Sequence, residues 1–121
     1  MDEATSGLAQ MNMVLHNNAG ALITQGNTLA NPKHLDGAAL NTFDYVVANP
    51  PFSDKRWSTG LTPDNDKFER FKGFGIPPTK QGDYAYLLHI IRSMKANGKA
   101  ACILPHGVLF RGNAEAVIRK Q

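Results

Sequence analysis

A single cysteine among 121 residues excludes a disulfide framework, and Cys102 lies in the apolar run AACIL, where a buried structural thiol is expected rather than a nucleophile. His16, His34 and His89 have no metal-ligand spacing among themselves, so no zinc site is expected. No apolar run approaches the roughly 20 residues that span a bilayer, and MDEATSGLAQ has no basic region followed by an apolar stretch. A soluble, cytoplasmic chain without membrane contact is the expectation. Internal repeats and low-complexity segments are also lacking. What is present is an ordinary balance, 42% hydrophobic and 19% charged, in a length that fits one domain able to bury roughly two thirds of its unfolded surface.

Basic residues are scarce early and abundant late. Residues 1–52 hold one basic and four acidic side chains, residues 53–82 six and four, and residues 83–121 six and two, for a net charge of +3. This gradient is compatible with a phosphate-backbone partner and equally with a solvated surface.

Apolar residues at helical spacing, Leu8, Met11 and Leu15, predict a helix from Thr5 to about Asn18 with Gly20 as its stop. Two short runs, ALIT (21–24) and the β-branched YVVA (45–48), predict strands. Residues 53–82, rich in proline and glycine, predict a long loop that either faces a substrate or is a disordered tip. Asp83 is placed to cap a helix with Tyr84, Leu87, Leu88, Ile91 and Met94 on its apolar face, closed by Gly98 as a left-handed stop. AACIL then reads as a parallel strand covered on both faces, and a last helix opens near Asn113. Strands alternating with helices indicate an open α/β sheet with parallel neighbours.

The stretch FDYVVANPPF (43–52) raises the functional question. Ligands of open α/β sheets sit outside the carboxyl ends of strands, where Asn49 stands. Pro50 and Pro51 fix the turn and bring no N–H, so the Asn49 side-chain oxygen and the Pro50 carbonyl form a rigid pair of acceptors beside the Phe52 ring. A planar ligand with an exocyclic amino group, such as a flipped-out adenine or cytosine, can donate both hydrogens there while stacking on the ring. The plainer alternative is a strand-terminating turn.

NPPF resembles motif IV of the amino-group DNA methyltransferases. With LAQMNMVLH (8–16), GNTL (26–29), FDYVVANPPFSDKRW (43–57), GDYAYLLHIIRSM (82–94) and GKAACILPHGVLFRGNAEAVIRK (98–120), the chain resembles the modification (M) subunit of type I restriction-modification systems. The resemblance implies a fragment of a Rossmann-like methyltransferase fold, a parallel sheet with flanking helices that lacks the first strands, with residues 1–121 forming one partial catalytic domain. It implies Asn49, Pro50, Pro51 and Phe52 at an adenine of DNA, S-adenosylmethionine as methyl donor held by Asn27, Thr28 and Asn49, and loop 53–82 facing DNA.

The family's glycine-rich cofactor loop and the following ribose-binding acid have no counterpart here, Asp2 and Glu3 being poor substitutes, and its usual Gly-Asp is Gly26-Asn27. The family's central strand, between ALIT and YVVA, is also missing. Those strands would have open edges, so pairing with a second copy or reordering is expected. Lys55, Arg56 and Trp57 are candidates for backbone contact and stacking, His106 for lining the base pocket and Arg111 for phosphate. Specificity and restriction subunits are the implied protein partners. Two other readings are a methyltransferase for RNA or protein glutamine, and a non-catalytic module binding DNA or a partner.

Overall fold

The structure, a computed structural model, describes residues 3–121; Met1 and Asp2, and with them the Asp2 weighed as a ribose ligand, lie outside the described residues. Helix α1 (Glu3–Leu15) forms where the apolar spacing puts it. It is closed by Asn17 rather than Gly20. Asn17 takes φ 56°, and the Asn18 N–H donates to the Met13 carbonyl at 2.8 Å, the bond of a helix end with a left-handed residue. Leu8, Met11 and Leu15 remain exposed, so the apolar stripe of α1 packs on no described core.

A two-residue turn with Gly37 at φ 59° joins β1 (Leu35–Asp36) to β2 (Ala39–Leu40) as a small antiparallel hairpin. Strand β3 (Phe43–Ala48) then leads through loop 53–82 into α2 (Asp83–Arg92), and α2 into β4 (Met94–Cys102), which lies parallel to β3. This is the strand, helix, parallel-strand unit of an α/β fold. Helix α3 (Asn113–Arg119) follows.

Several expectations are corrected. Residues 21–24 form no strand, because β3 pairs with β4 and no described strand lies beside ALIT to complete a ladder. Gly98 is not a helix stop: α2 ends at Arg92, and the Ser93 N–H turns back to the His89 and Ile90 carbonyls. The ladder opens with Phe43 opposite Met94 and resumes with Tyr45 opposite Lys99, so residues 95–98 are looped out of register. A Cβ on Gly98 would stand 3.0 Å from both the Phe43 and the Lys95 carbonyl oxygens, and only glycine relieves that approach. AACIL is not covered on both faces. Tyr45, Val47 (84% exposed), Ala101 and Ile103 leave one face of the two-stranded sheet open. Cys102 is half-buried rather than buried, and its burial pushes the thiol up, away from a nucleophile.

Loop 53–82 is neither disordered nor peripheral. The core joins Leu29, Trp57, Phe71, Tyr84, Ala85, Leu88, Val108 and Ile118, and two of these belong to the loop. Trp57 packs edge-on against Phe71 with ring centres 5.7 Å apart, and its indole N–H donates to the Pro78 carbonyl at 3.0 Å. Gly82 lets the loop close, since a Cβ there would lie 2.7 Å from the Trp57 Cβ.

Candidate active site

Strand β3 delivers Asn49 to the rim of a cleft of about 420 Å³. The Ile103 N–H donates to the Ala48 carbonyl at 3.0 Å, so the residue before Asn49 is the last one held by the sheet. Val46, Ala48, Asn49, Pro50 and Pro51 form one wall; Thr24, Gly26, Thr28, Asn31, Pro32, Lys33 and His34 form another; Tyr86, His89 and Ile90 of α2, with Ser93 just beyond its end, form a third. The volume is that of a small-ligand site, and the lining mixes apolar walls with a few polar groups, as such sites do. No hydrogen bond within the described residues claims the Asn49 carboxamide. Its acceptor is therefore available to a ligand.

The chain leaving the prolines is clamped to the start of α2. Ser53, at φ 51°, donates its N–H to Asp83 Oδ1 at 2.7 Å, and Asp54 accepts from the Tyr86 hydroxyl at 3.0 Å. Asp83 is not a helix cap. Wholly buried, it spends its second oxygen on Arg111, 2.9 Å away. Arg111 also donates to Glu115 and Gln81. Burial, then the bond to Asp54 and its charge, push the Tyr86 hydroxyl up to about 12, so it stays protonated and keeps donating.

Beneath the cleft lies a second ionic node. Arg70, 0% exposed, reaches Asp66 Oδ2 through Nε at 2.9 Å and Oδ1 through Nη2 at 2.7 Å. Nη2 also donates to the Leu29 carbonyl at 2.8 Å, and Nη1 lies 3.3 Å from His89 Nδ1. One guanidinium thus ties loop 53–82, the segment after Thr28, and α2 together. Burial opposes ionisation of Asp66, but the bonds from Arg70 prevail and hold its carboxyl below the usual range. Burial, followed by the Arg70 charge, lowers His89 to about 4.

This architecture carries a match that covers the whole chain: residues 1–121 fit the family described as N-6 DNA Methylase. The chain belongs to that family. It is 35% identical over 115 residues to the type I restriction enzyme MjaIX methylase subunit of Methanocaldococcus jannaschii, covering 93% of this chain and 20% of the relative. It is 33% identical over 121 residues to the EcoKI methylase subunit of Escherichia coli, covering 96% and 20%. The crystal structure of the type I restriction-modification system methyltransferase subunit from Streptococcus thermophilus superposes with a TM-score of 0.81 at 37% identity, over 99% of this chain and 25% of that one. The chain therefore spans about a fifth to a quarter of the length of these relatives. The parallel strand pair and its helices correspond to part of a methyltransferase fold.

Of this family member's expected site residues, Asn49, Pro50, Pro51 and Thr28 meet in the cleft. Phe52 is exposed just outside it, and Lys55 and Arg56 are exposed further along the loop. Asn27 is occupied in part: its side-chain oxygen accepts from the N–H groups of Leu29 and Ala30 at 3.0 Å each, closing a local turn. Three expectations are corrected. Trp57, 2% exposed, is a core ring and presents no face to a base. Arg111 is committed to the Asp83 and Glu115 carboxylates rather than free for phosphate. His106 is exposed, packs edge-on to Phe110 at 5.0 Å, and does not line the cleft. Arg70, Asp66, His89 and Asp83 were missed; Asp66 and Arg70 stand four apart, the one local signal that pointed to their pairing.

No helix among the described residues is long and apolar enough to cross a membrane.

Proposed function

We propose that this chain contributes the target-base wall of a DNA methylase that transfers a methyl group from S-adenosylmethionine to the 6-amino group of adenine. The observation that carries the reading is the uncommitted Asn49 carboxamide, followed by two rigid prolines, on a nucleoside-sized cleft at the carboxyl end of β3. S-adenosylmethionine, when bound, supplies an electrophilic methyl on a sulfonium. The cleft residues that would hold it are Thr28 and Asn49, with the Asn27 amide N–H₂ still open to a contact. No carboxylate lines the cleft among the described residues, so a ribose-binding acid is not supplied from these walls.

The Asn49 oxygen and the Pro50 carbonyl accept the two amino hydrogens of an extruded adenine and draw its nitrogen lone pair out of conjugation. A bound S-adenosylmethionine would supply the methyl to that nitrogen, its sulfur leaving as the thioether, and the surplus amino proton would pass to solvent, since no carboxylate lines the cleft among the described residues. Fixed acceptors do this without reorganisation, because the prolines and the Asp83 clamp hold them. Phe52 offers its exposed ring for stacking, and extrusion is required because a paired amino group cannot be reached. Lys55 and Arg56, both exposed, are the residues proposed to contact the DNA backbone. As relatives are subunits of type I restriction enzymes, specificity and restriction subunits are the proposed protein partners, and the open edges of β3 and β4 favour pairing with a second copy.

Labelled-methyl transfer to adenine-containing DNA tests the reaction. Asn49→Ala should lower it at least about 100-fold, as loss of one preorganised group does, with unchanged stability. Labelling of RNA or of protein glutamine instead of DNA would refute the substrate. Light scattering at moderate concentration tests the pairing, and a strictly monomeric species would count against it.

A further inference from the structure

Two histidines line the cleft: His34 pairs its Nε2 with the Thr24 hydroxyl at 2.6 Å, and His89 pairs its Nδ1 with Arg70 and leaves its other nitrogen without a partner among the described residues. Arginine has no acceptor, so in the 3.3 Å contact Arg70 Nη1 must donate to His89 Nδ1. The ring, held neutral by burial, then carries its single proton on Nε2. No described residue accepts that N–H, yet no buried side-chain nitrogen or oxygen is left unsatisfied, so Nε2 is open to solvent rather than sealed in the core. The ring lines the cleft on the same face of α2 as Tyr86 and Ile90. Arg70 also holds the Leu29 carbonyl, which fixes His89 relative to the turn that follows Thr28.

We propose that His89 donates its Nε2–H to a ring nitrogen or sugar hydroxyl of the nucleoside bound in the cleft, with Arg70 setting the tautomer; this rests on the methyl-transfer reading. Arg70 is a positioning residue, acting only through the ring. Replacing His89 with glutamine keeps a donor near Nε2, whereas leucine keeps the bulk and removes it.

Adenosine is the probe, titrated into ¹⁵N-histidine-labelled chain at pH 7. The expected spectrum shows the Nε2–H tautomer of His89 with a shift at Nε2 on binding. Affinity should fall roughly ten-fold in His89→Leu and stay within about three-fold in His89→Gln. An Nδ1–H tautomer, or equal adenosine affinity in His89→Leu and the unaltered chain, would overturn the role of His89 and leave the cleft reading standing. Absence of adenosine binding by the unaltered chain would overturn both.

Discussion

Replacing Arg70 with methionine should be the most damaging single change to the scaffold beneath the cleft. Arg70 is fully buried and the Asp66 side chain is 3% exposed, so the substitution strands a carboxylate whose remaining support is the backbone N–H groups of residue 70 and Phe68. Three further contacts disappear with it: two to Asp66 and one to the Leu29 carbonyl, besides the one to His89. Removing one partner of a buried ion pair costs about 3–5 kcal/mol, whereas replacing both by apolar groups is often neutral. Arg70→Met alone should therefore lose about 3–5 kcal/mol, a large share of the 5–15 typical of a domain. Adding Asp66→Leu should recover most of that loss. The assay is urea unfolding followed by the fluorescence of Trp57, the one tryptophan, which sits in the core. In the single variant the unpaired Asp66 has its folded carboxyl raised, so its penalty should shrink as pH falls and the group is protonated. A loss below about 1 kcal/mol, or a double variant as unstable as the single, would refute the reasoning.

Gly82→Ala should destabilise by about 1–3 kcal/mol, because its Cβ meets the Trp57 Cβ at 2.7 Å and the Asp54 carbonyl at 3.1 Å; unchanged urea stability would show that the loop yields freely. Acidification supplies another test. The unfolded His89 takes up its proton near pH 6.5 but the folded one only near 4, so between those values the unfolded state binds more protons and stability falls as pH falls. Calorimetric unfolding should show a loss of up to about 3 kcal/mol across that window, absent in His89→Gln; a flat profile in the unaltered chain would contradict the buried neutral ring.

The parts of the structure legible in the sequence were those governed by local periodicity. α1 and α2 follow from apolar spacing, and β3 from its β-branched run ending at Asn49. ALIT has the same local character as YVVA but no neighbour in the sheet, and strand formation depends on pairing more than on propensity. The signal for the β1–β2 hairpin is Gly37 at the first central position of the turn, a single residue that stands out little in a polar loop. The packing of loop 53–82 is not legible in the sequence because its core residues, Trp57 and Phe71, follow no helical or strand period; irregular packing leaves no periodic trace. In the site, the Asn-Pro-Pro rim was readable, while Asp83 and Arg111, 28 residues apart, meet only after folding. Helix α1 and the outer face of β3 keep their apolar residues exposed, and the relatives are four to five times longer than this chain.

The most direct test of the central claim, that the cleft beside Asn49 is a methyl-transfer site, is calorimetric titration of the chain with S-adenosylmethionine. The account predicts saturable binding in the micromolar range that weakens when Thr28 and Asn49 are replaced by alanine. No binding at millimolar concentrations, or binding indifferent to those two residues, would contradict it.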